Sequence, residues 1–443
     1  MSRPSRKSSS RRGRRSSHKR KIPSETFDVV IDDIGAGGDG LASANDKKLY
    51  IPGVLTGETV RVKTKHPRGD GIVCEVMDVI QPSPQRNTPI CPYFGRCGGC
   101  QLQHLKAEAY ADWKHQRVAR VLAQRGFQDV DVLAPVLIGP TTRRRVTFSA
   151  EKNGAKVHLG FNAQASHDLQ DIASCPLLVD DLNQIIEPLK AMLSNVLKDR
   201  VRARIFITSC HNGLDILIEG RGGLELPQRE AIADFVKGGK ALRVAWTEPD
   251  YPPEPVAMVE LPVINLSGVL VELPMGGFLQ ASVAGEQAIL AQVKTGVGGA
   301  GRIADLYCGL GSFTLPLSQQ GLVRAIDMIE PPVRALERAA GRCGLGGHVV
   351  AEVRDLDRQP LDVKDLSKFD AVVFDPPRIG AGAQAAELAN STVSKVVAVS
   401  CNPATFARDA RILVDGGYRL IDVLPVDQFT YSAHVELVAR FER

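Results

Sequence analysis

The spacing of apolar and polar residues divides the chain into regions with different periods. From residue 26 to about Pro82, short alternating runs are separated by glycine turns, which predicts a small β-barrel. A proline-rich linker follows, and residues 135–270 mix strand and helical patterns, which predicts an α+β domain. A helix ahead of Gly126 is indicated by apolar residues at near-helical spacing, namely Tyr110, Trp113, Val118, Val121 and Leu122.

Beyond Pro274 the pattern changes to strand, loop and helix in turn. Apolar strands are predicted at residues 303–308, 323–327, 369–378 and 395–403, and each ends in a polar or reactive residue. Repeated βα units form a parallel, doubly wound sheet, which binds ligands at the carboxyl ends of its strands. We therefore predict a Rossmann-like α/β fold for this region, with the chemistry at one edge of the sheet.

Charge is distributed unevenly along the 443 residues. The net charge is +5, but residues 1–21 contain seven Arg, three Lys and no acidic residue, so subtracting these ten charges leaves −5 for the rest. A basic segment without an apolar helical face is typical of a disordered tail that contacts RNA through counterion release, and not of a transit peptide. Two further basic groups are either phosphate contacts or ordinary surface: Arg143, Arg144 and Arg145, and Lys63, Lys65 and Arg68.

Composition narrows the class of protein. The chain has no run of about 18 apolar residues and no apolar core of a secretion signal near its start. We expect a cytoplasmic protein that acts as a monomer and has no membrane partner. Nine cysteines are too few for a disulfide scaffold in a chain of this length, so clustered cysteines indicate a metal site or catalysis.

Four cysteines have the spacing of a metal site. Cys91, Cys97 and Cys100 form a C-x5-C-x2-C group, and Cys175 follows much later in ASCPLL. Four thiolates suit either a [4Fe–4S] cluster or Zn²⁺. The spacing differs from the C-x3-C-x2-C of radical S-adenosylmethionine enzymes, and a cluster with four protein ligands is closed. We therefore expect a structural or RNA-positioning role.

A glycine loop, DLYCGLGSF at residues 305–313, follows the first of the repeated strands, and the next strand ends in Asp327. Gly309 and Gly311 allow the backbone to approach a ligand closely, and Asp327 is placed to bond ribose hydroxyls. Thr314 stands where a dinucleotide motif requires a third glycine, so the shorter G-x-G form favours S-adenosylmethionine. An ordinary βα turn is the alternative.

Three more motifs carry candidate chemistry. Asp375 lies in DPPR, where prolines stiffen the loop and can direct the carboxylate towards a flat polar ligand; a structural Asp–Pro turn is the alternative. Cys401 lies in SCNP at a predicted helix start, where a lowered thiol pKa favours a nucleophile over an inert core cysteine. Glu436 in HVE begins a terminal strand and is a candidate base, although an isolated glutamate is more often a surface residue.

In order along the chain, these motifs resemble those of bacterial RNA (uracil-5-)methyltransferases, specifically the class that modifies 23S ribosomal RNA. The resemblance extends from about residue 24 to the C terminus and rests on CPYFGRCGGCQLQHL, ASCPLL, the FLQ at 278–280, DLYCGLGSF, FDPPR, SCNPATFARD and HVE. It implies two cofactors, S-adenosylmethionine and a [4Fe–4S] cluster on the four cysteines. The implied domains are a tail at 1–21, an RNA-binding TRAM barrel at 22–84, a central iron–sulfur and RNA-binding domain at 85–270 and a catalytic domain at 271–443.

The resemblance also implies a mechanism. The Cys401 thiolate attacks C6 of uracil, C5 takes the methyl group, and Glu436 removes the C5 proton so that Cys401 is released. Ser312 and Asp327 stand where relatives often carry Asn and Glu, and FLQASVAGE departs from the commoner FxQVN, so these contacts are expected to differ in detail. The residues expected to line the cofactor and uracil pocket are Gln280, Tyr307, Gly309, Gly311, Ser312, Asp327, Asp355 and Asp375.

Three other functions fit parts of the pattern. The first is the same chemistry on tRNA, although tRNA-modifying relatives usually lack both the barrel and the cluster. The second is methylation of an adenine or guanine amino group, which the DPP motif suggests and which needs no nucleophilic cysteine. The third is an RNA-binding or redox-sensing protein with an inactive methyltransferase fold, against which the presence of Cys401 and Glu436 argues.

Overall fold

A computed structural model describes residues 23–164 and 166–443. The basic tail expected at residues 1–21 lies outside the described residues. Within them the chain forms two compact units, one of residues 23–35 and 39–84 and the other of residues 36–38 and 85–443. Among the described residues, none of the helices combines the length and apolarity that a membrane span requires.

The first unit is a six-stranded sheet with an apolar core of its own. Its strands are β1 (Thr26–Val30), β2 (Asp33–Ile34), β3 (Gly40–Ala44), β4 (Lys47–Ile51), β5 (Thr59–Arg68) and β6 (Gly71–Gln81). They lie in the order β1-β5-β6-β4-β3-β2, and the β4–β6 pair is parallel. Alternate residues in the first half of β5 are buried, as the period of two predicts. Lys65 and Arg68 form ion pairs with Glu75 and Asp39, so two of the three candidate phosphate contacts already have acidic partners.

The second unit contains the remaining helices and strands. The helices are α1 (Ala107–Ala123), α2 (Asp180–Gln184), α3 (Ile186–Val196), α4 (Leu226–Lys237), α5 (Val283–Val297), α6 (Thr314–Leu317), α7 (Glu330–Arg342), α8 (Val363–Leu366), α9 (Gly382–Ala389) and α10 (Pro403–Asp415). The strands are β7 (Asp131–Val132), β8 (Val136–Leu137), β9 (Arg145–Asn153), β10 (Lys156–Asn162), β11 (Leu169–Asp171), β12 (Arg202–Ser209), β13 (Leu214–Glu219), β14 (Arg243–Thr247), β15 (Glu254–Met258), β16 (Val263–Leu266), β17 (Val269–Glu272), β18 (Arg302–Leu306), β19 (Leu322–Asp327), β20 (Val349–Val353), β21 (Ala371–Phe374), β22 (Lys395–Ser400), β23 (Arg419–Asp427) and β24 (Glu436–Glu442).

The middle of the chain forms a seven-stranded sheet in the order β11-β10-β9-β12-β13-β14-β15. The strand pattern at residues 202–208 and 213–219 predicts a hairpin, which is confirmed because β12 and β13 pair antiparallel. The helical pattern at residues 180–197 corresponds to two helices, α2 and α3, that meet at Ile185. Apolar side chains of α3 and α4 pack on the sheet and form its core. A two-stranded hairpin, β16–β17, leads on to the C-terminal region.

A nine-stranded sheet organises the C-terminal region. Its main path is β20-β19-β18-β21-β22-β24-β23-β7, and β8 also pairs with β23. The first five strands of this path are parallel, which confirms the doubly wound α/β prediction. One face packs against α5 and the other against α9 and α10, so the central strands β18, β21 and β22 are almost wholly buried.

The segment at residues 107–137 packs with the C-terminal sheet, although the domain bounds implied by the resemblance place it in the central domain at 85–270. Val118 and Leu122 of α1 lie in the same apolar core as β18, β21 and β22. β7 and β8 extend the sheet by parallel pairing with β23. The apolar stripe of a helix shows that one face is buried, but not which surface covers it, so the partner of α1 could not be predicted from the pattern.

Candidate active site

The pairing of β22 with β24 brings two of the predicted catalytic residues together. β24 runs antiparallel to β22 with Ser400 opposite Leu437. Cys401 follows Ser400 and Glu436 precedes Leu437, so the thiol and the carboxyl group leave adjacent strands at the same edge. This is also the edge at which the parallel strands end, and there Tyr307 and Asp375 follow β18 and β21.

The loop after β18 is shaped for close approach of a ligand to its backbone. Tyr307, Gly309 and Gly311 have φ angles of 61°, 53° and 87°, and a β-branched or bulky residue is rarely found in this region. At Gly311 a Cβ atom would lie 2.5 Å from the side chain of Leu336, so only glycine fits. The Gly309 N–H donates to Asp327 Oδ2 at 3.1 Å, which ties the loop to the end of the next strand.

Asp355 and Ser312 lie at the same edge but have structural partners. The Asp355 carboxylate accepts hydrogen bonds from the backbone N–H groups of Asp357 and Arg358, at 3.1 and 3.2 Å, and so shapes the turn after β20. The Ser312 hydroxyl donates to Glu286 Oε2 at 3.4 Å. The two residues are therefore near the predicted pocket, and their contacts with a cofactor stay a prediction.

A buried chain of hydrogen bonds connects Asp375 to Glu436. Gln280 Nε2 donates to Asp375 Oδ2 at 3.1 Å. Gln428 Nε2 donates to Gln280 Oε1 at 2.7 Å and to Glu436 Oε2 at 2.8 Å, and Gln428 Oε1 accepts from the Ala281 N–H. Gln428 was not found from the sequence, because it lies in the loop between β23 and β24 outside every motif considered.

Burial raises the pKa values of both carboxyl groups, and the charge of Glu436 adds to the shift of Asp375. Burial raises the pKa of Glu436 to about 7, although the hydrogen bond from Gln428 opposes the shift. Burial and the charge of Glu436 raise the pKa of Asp375 well above its usual range. At neutral pH Glu436 therefore exists in both protonation states, which suits a group that accepts a proton during a reaction.

The expected lowering of the Cys401 pKa is wrong. Burial raises the pKa of the thiol to about 11, with Glu436 and Asp375 adding to the increase and Arg378 opposing it. The start of α10 is expected to lower this pKa, but the Ala404 N–H there is satisfied by the Asn402 side chain. The neighbouring carboxyl groups come from other strands and outweigh the local effect of the helix.

Three of the motifs are joined by hydrogen bonds around Arg378. Its backbone carbonyl accepts from Asn402 Nδ2 at 3.0 Å and from the Thr405 hydroxyl at 3.2 Å. Its guanidinium lies 3.2 Å from Nδ1 of His434. Burial and the charge of Arg378 lower the pKa of His434, so the imidazole is neutral and can accept this hydrogen bond. The DPPR, SCNP and HVE loops therefore form one connected structure.

The basic run at 143–145 is used within the protein. Arg144 is buried, forms an ion pair with Glu286 at 2.7 Å and donates to the backbone carbonyl of Gln280 at 3.1 Å. Arg145 stacks on Phe278 with its guanidinium 4.5 Å from the ring centre and donates to the Leu279 carbonyl. These contacts hold the FLQ segment in place, so phosphate binding and plain surface exposure are both wrong for Arg144.

The four cysteines predicted as metal ligands all carry free thiols. Burial raises the pKa of Cys100 to about 12, and the charges of Cys175, Cys97 and Cys91 contribute, so the four thiols lie near one another. The Gly99 N–H donates to the Cys97 sulfur at 3.4 Å. Across residues 23–164 and 166–443, no three or more His, Cys, Asp or Glu side chains are arranged as a set that could hold a metal ion. The thiols are close together without the geometry of a ligand set.

The parallel sheet, its glycine loop and the polar edge define an S-adenosylmethionine-dependent methyltransferase fold. A family model described as tRNA (Uracil-5-)-methyltransferase matches residues 347–443. Uncharacterized RNA methyltransferases of Brucella melitensis and Caulobacter vibrioides are each 40% identical to 94% of this chain, over 98% and 100% of their own lengths. The chain belongs to the RNA (uracil-5-)methyltransferase family and is an S-adenosylmethionine-dependent enzyme of that family.

Two further relatives extend the comparison. The 23S rRNA (uracil(1939)-C(5))-methyltransferase RlmD of Pectobacterium atrosepticum is 28% identical over 97% of this chain and 96% of its own. The crystal structure of the Pyrococcus abyssi tRNA (uracil-54, C5)-methyltransferase with S-adenosyl-L-homocysteine has a TM-score of 0.72 and 23% identity, covering 94% of this chain and 99% of that one. At this identity the second match establishes the fold alone.

The raised pKa of Glu436 predicts how stability depends on pH. Its ordinary pKa is 4.5 and its folded pKa is about 7, so between these values the folded state keeps a proton that the unfolded state releases. Stability from this residue therefore falls as pH rises through that window. Glu436→Gln removes the effect. At pH 8 its free energy of unfolding should exceed that of wild type by on the order of 1–3 kcal/mol, and it should unfold at a higher temperature, with little difference at pH 4.5.

Thermal unfolding of both proteins from pH 4.5 to 8 measures this difference. Glu230→Gln, on an exposed part of α4, is the matched control and should follow the wild-type curve. Parallel curves for wild type and Glu436→Gln would contradict the assigned pKa shift.

Proposed function

We propose that this enzyme methylates C5 of one specific uridine in 23S ribosomal RNA. The proposal is supported by the Pectobacterium relative, which aligns with nearly the whole chain and is named for that RNA. The first unit is proposed to be the TRAM domain, with residues 22–84 binding RNA, and the basic tail at 1–21 is proposed to add contacts with phosphate. A cytoplasmic location is part of the same proposal.

The observation that carries the mechanism is the buried hydrogen-bond chain that ends on Glu436 beside Cys401. We propose that the Cys401 sulfur attacks C6 of the uracil, which makes C5 nucleophilic and allows it to take the methyl group. Glu436 then removes the proton from C5, and the bond between C6 and the Cys401 sulfur breaks. Gln428 holds one oxygen of Glu436 at 2.8 Å, so the orientation of the carboxyl group is fixed before the reaction.

S-adenosylmethionine supplies the methyl group when it is bound. The residues at the sheet edge fit such a ligand, because a glycine loop with positive φ angles lies next to the fixed carboxylate of Asp327. We propose that this loop and the polar residues around it hold the cofactor and the uracil: Gln280, Tyr307, Gly309, Gly311, Ser312, Asp327, Asp355 and Asp375.

The thiol of Cys401 must lose its proton before it attacks. With a pKa of about 11, only a small fraction of the thiol is thiolate at neutral pH. Glu436 contributes to that high pKa and, with a pKa of about 7 of its own, is protonated part of the time. Each proton on Glu436 removes a negative charge beside the sulfur, so the two groups titrate as an interacting pair.

The RNA species is tested by mapping 5-methyluridine in a strain that lacks this protein. We expect one 5-methyluridine to disappear from 23S rRNA and tRNA to be unchanged, as measured by mass spectrometry of both RNAs. A wild-type gene should restore the modification, and a gene encoding Cys401→Ala should not. Loss from tRNA alone would assign the same chemistry to tRNA. This outcome is the alternative because the Pyrococcus tRNA enzyme shares the fold over 99% of its length.

The order of covalent steps predicts different behaviour for the two catalytic residues. Cys401→Ala should abolish methyl transfer, because without attack at C6 nothing activates C5. Glu436→Gln should still attack and methylate but should fail to release the RNA. A protein–RNA adduct that carries the transferred methyl group should therefore accumulate on denaturing gels, when rRNA from the deletion strain and labelled S-adenosylmethionine are supplied.

RNA containing 5-fluorouridine at the target is the control, because fluorine cannot leave as a proton and wild type should be trapped in the same way. A Cys401→Ala protein that still methylates would refute the mechanism. An inactive Glu436→Gln protein without an adduct would exclude Glu436 as the base and leave the role of Cys401 intact.

We also propose that Cys91, Cys97, Cys100 and Cys175 hold a [4Fe–4S] cluster. The proposal is supported by the closeness of four free thiols from two separate segments. Protein purified without oxygen should contain about four irons per chain and absorb broadly in the visible range. Cys175→Ser should lose iron, whereas Cys343→Ser, at an exposed cysteine, should keep it. Stoichiometric zinc without iron or sulfide would overturn the assignment.

A further inference from the structure

Helix α1 places a fully buried cation against the loop that leads to Glu436. Lys114 has no exposed surface, and its ammonium group donates to the backbone carbonyls of Ser432, at 2.9 Å, and His434. It also forms an ion pair with Asp427 Oδ1 at 2.7 Å. These contacts place the ammonium group between two backbone carbonyls and the Asp427 carboxylate.

A second residue of α1, one helical turn earlier, contacts the same loop. The Tyr110 hydroxyl donates to Asp427 Oδ2 at 2.6 Å and accepts from the Tyr431 N–H at 2.8 Å. Tyr431 has a φ of 59°, and its carbonyl accepts from the N–H groups of Gln101 and Leu102. The loop between β23 and β24 is thus held at Asp427, at Tyr431 and at the residues just before β24.

Stability alone does not account for this arrangement. A buried ion pair contributes little net stability, because desolvation of both charges offsets their attraction, and an apolar pair of similar volume is often as stable. The charged group here donates directional hydrogen bonds to two backbone carbonyls, of Ser432 and His434, in a loop that has no regular hydrogen-bond ladder. Gln428 and Glu436 lie at the two ends of that loop.

We propose that Lys114, with Tyr110 and Asp427, is a positioning group for the proton-removal step. It fixes the loop at residues 427–436 so that the Glu436 carboxyl group and its partner Gln428 face the uracil in the orientation needed to take the C5 proton. This inference rests on the proposed role of Glu436 as the base. Lys114 itself does not contact the substrate.

The test compares Lys114→Met, Tyr110→Phe and the double variant Lys114→Met/Asp427→Asn. Lys114→Met leaves the Asp427 carboxylate buried without its cation, which is strongly destabilising and can prevent folding. The double variant removes both charges and should recover thermal stability. Arg120→Met, at an exposed position of α1, is the control and should behave as wild type.

The substrate is rRNA from the deletion strain grown with [5-³H]uridine, so that tritium release measures removal of the C5 proton. In the double variant we expect tritium release to slow by about 100-fold, because small misplacement of a catalytic group has effects of this size. Methyl transfer into the protein–RNA adduct should be much less affected, so the adduct should accumulate. Tyr110→Phe should show the same split to a smaller degree.

Hydrogen–deuterium exchange provides a readout that does not depend on the mechanism. Peptides covering residues 428–436 should exchange at least about tenfold faster in the double variant, while peptides from β22 should be unchanged. The proposal would be overturned if the double variant released tritium at the wild-type rate. It would also be overturned if methyl transfer and tritium release slowed equally and no adduct formed.

Glu436→Gln, assayed in parallel, separates this inference from the proposed function. An adduct in Glu436→Gln but not in the double variant would refute the positioning role alone. If Glu436→Gln forms no adduct, the assignment of Glu436 as the base fails. Hydrogen exchange at residues 428–436 of the double variant then decides whether Lys114 holds the loop. Unchanged exchange would refute this hold, and faster exchange would support it.

Discussion

Two carboxyl groups, Asp375 and Glu436, are buried at one edge of the sheet, and the proposed catalytic edge is arranged around this constraint. Burial raises the pKa of both groups, and the charge of Glu436 adds to the shift of Asp375. The chain stabilises them with amides, through Gln280 and Gln428, and not with a guanidinium. An arginine in direct contact would hold both groups ionised and would lower their pKa values far below neutrality. Neutral donors fix the position of Glu436 while leaving it able to gain and lose a proton near pH 7.

The two buried carboxyl groups also affect the neighbouring thiol of Cys401. Burial and the two carboxyl groups raise the pKa of the Cys401 thiol, so its sulfur is mostly protonated and weakly reactive at neutral pH. Arg378, which opposes this shift, is anchored to the loops that bear Cys401 and His434. The charge of Glu436, the proposed base, therefore affects the pKa of Cys401, the proposed nucleophile. Hydrogen bonds of Arg378 connect the loops that carry Asp375, Cys401 and His434.

Much of the C-terminal region could be predicted from the sequence, because its determinants are local. The strands before Tyr307, Asp375 and Cys401 are apolar runs followed by polar loops, and a glycine with positive φ has a recognisable motif. The direction of the Cys401 pKa shift could not be predicted in this way. It depends on burial of the thiol and on two carboxyl groups, one directly after β21 and one in β24, which the order of strands in the sheet brings beside it.

Buried polar residues outside motifs were missed for a related reason. Gln428 and Lys114 are each buried, yet a lone glutamine in a loop and a lone lysine in an amphipathic helix normally indicate surface. Their burial follows from contacts between distant parts of the chain, as when Lys114 meets the loop that follows β23. Several parts of the C-terminal region therefore come from chain before residue 271. They are the ion-pair partner of Asp427, the added strands β7 and β8, and the α1 side chains in the apolar core. The proposed catalytic edge is completed by α1, which precedes the whole central sheet in the sequence. The fold of the site therefore requires segments that come before and after the central sheet along the chain.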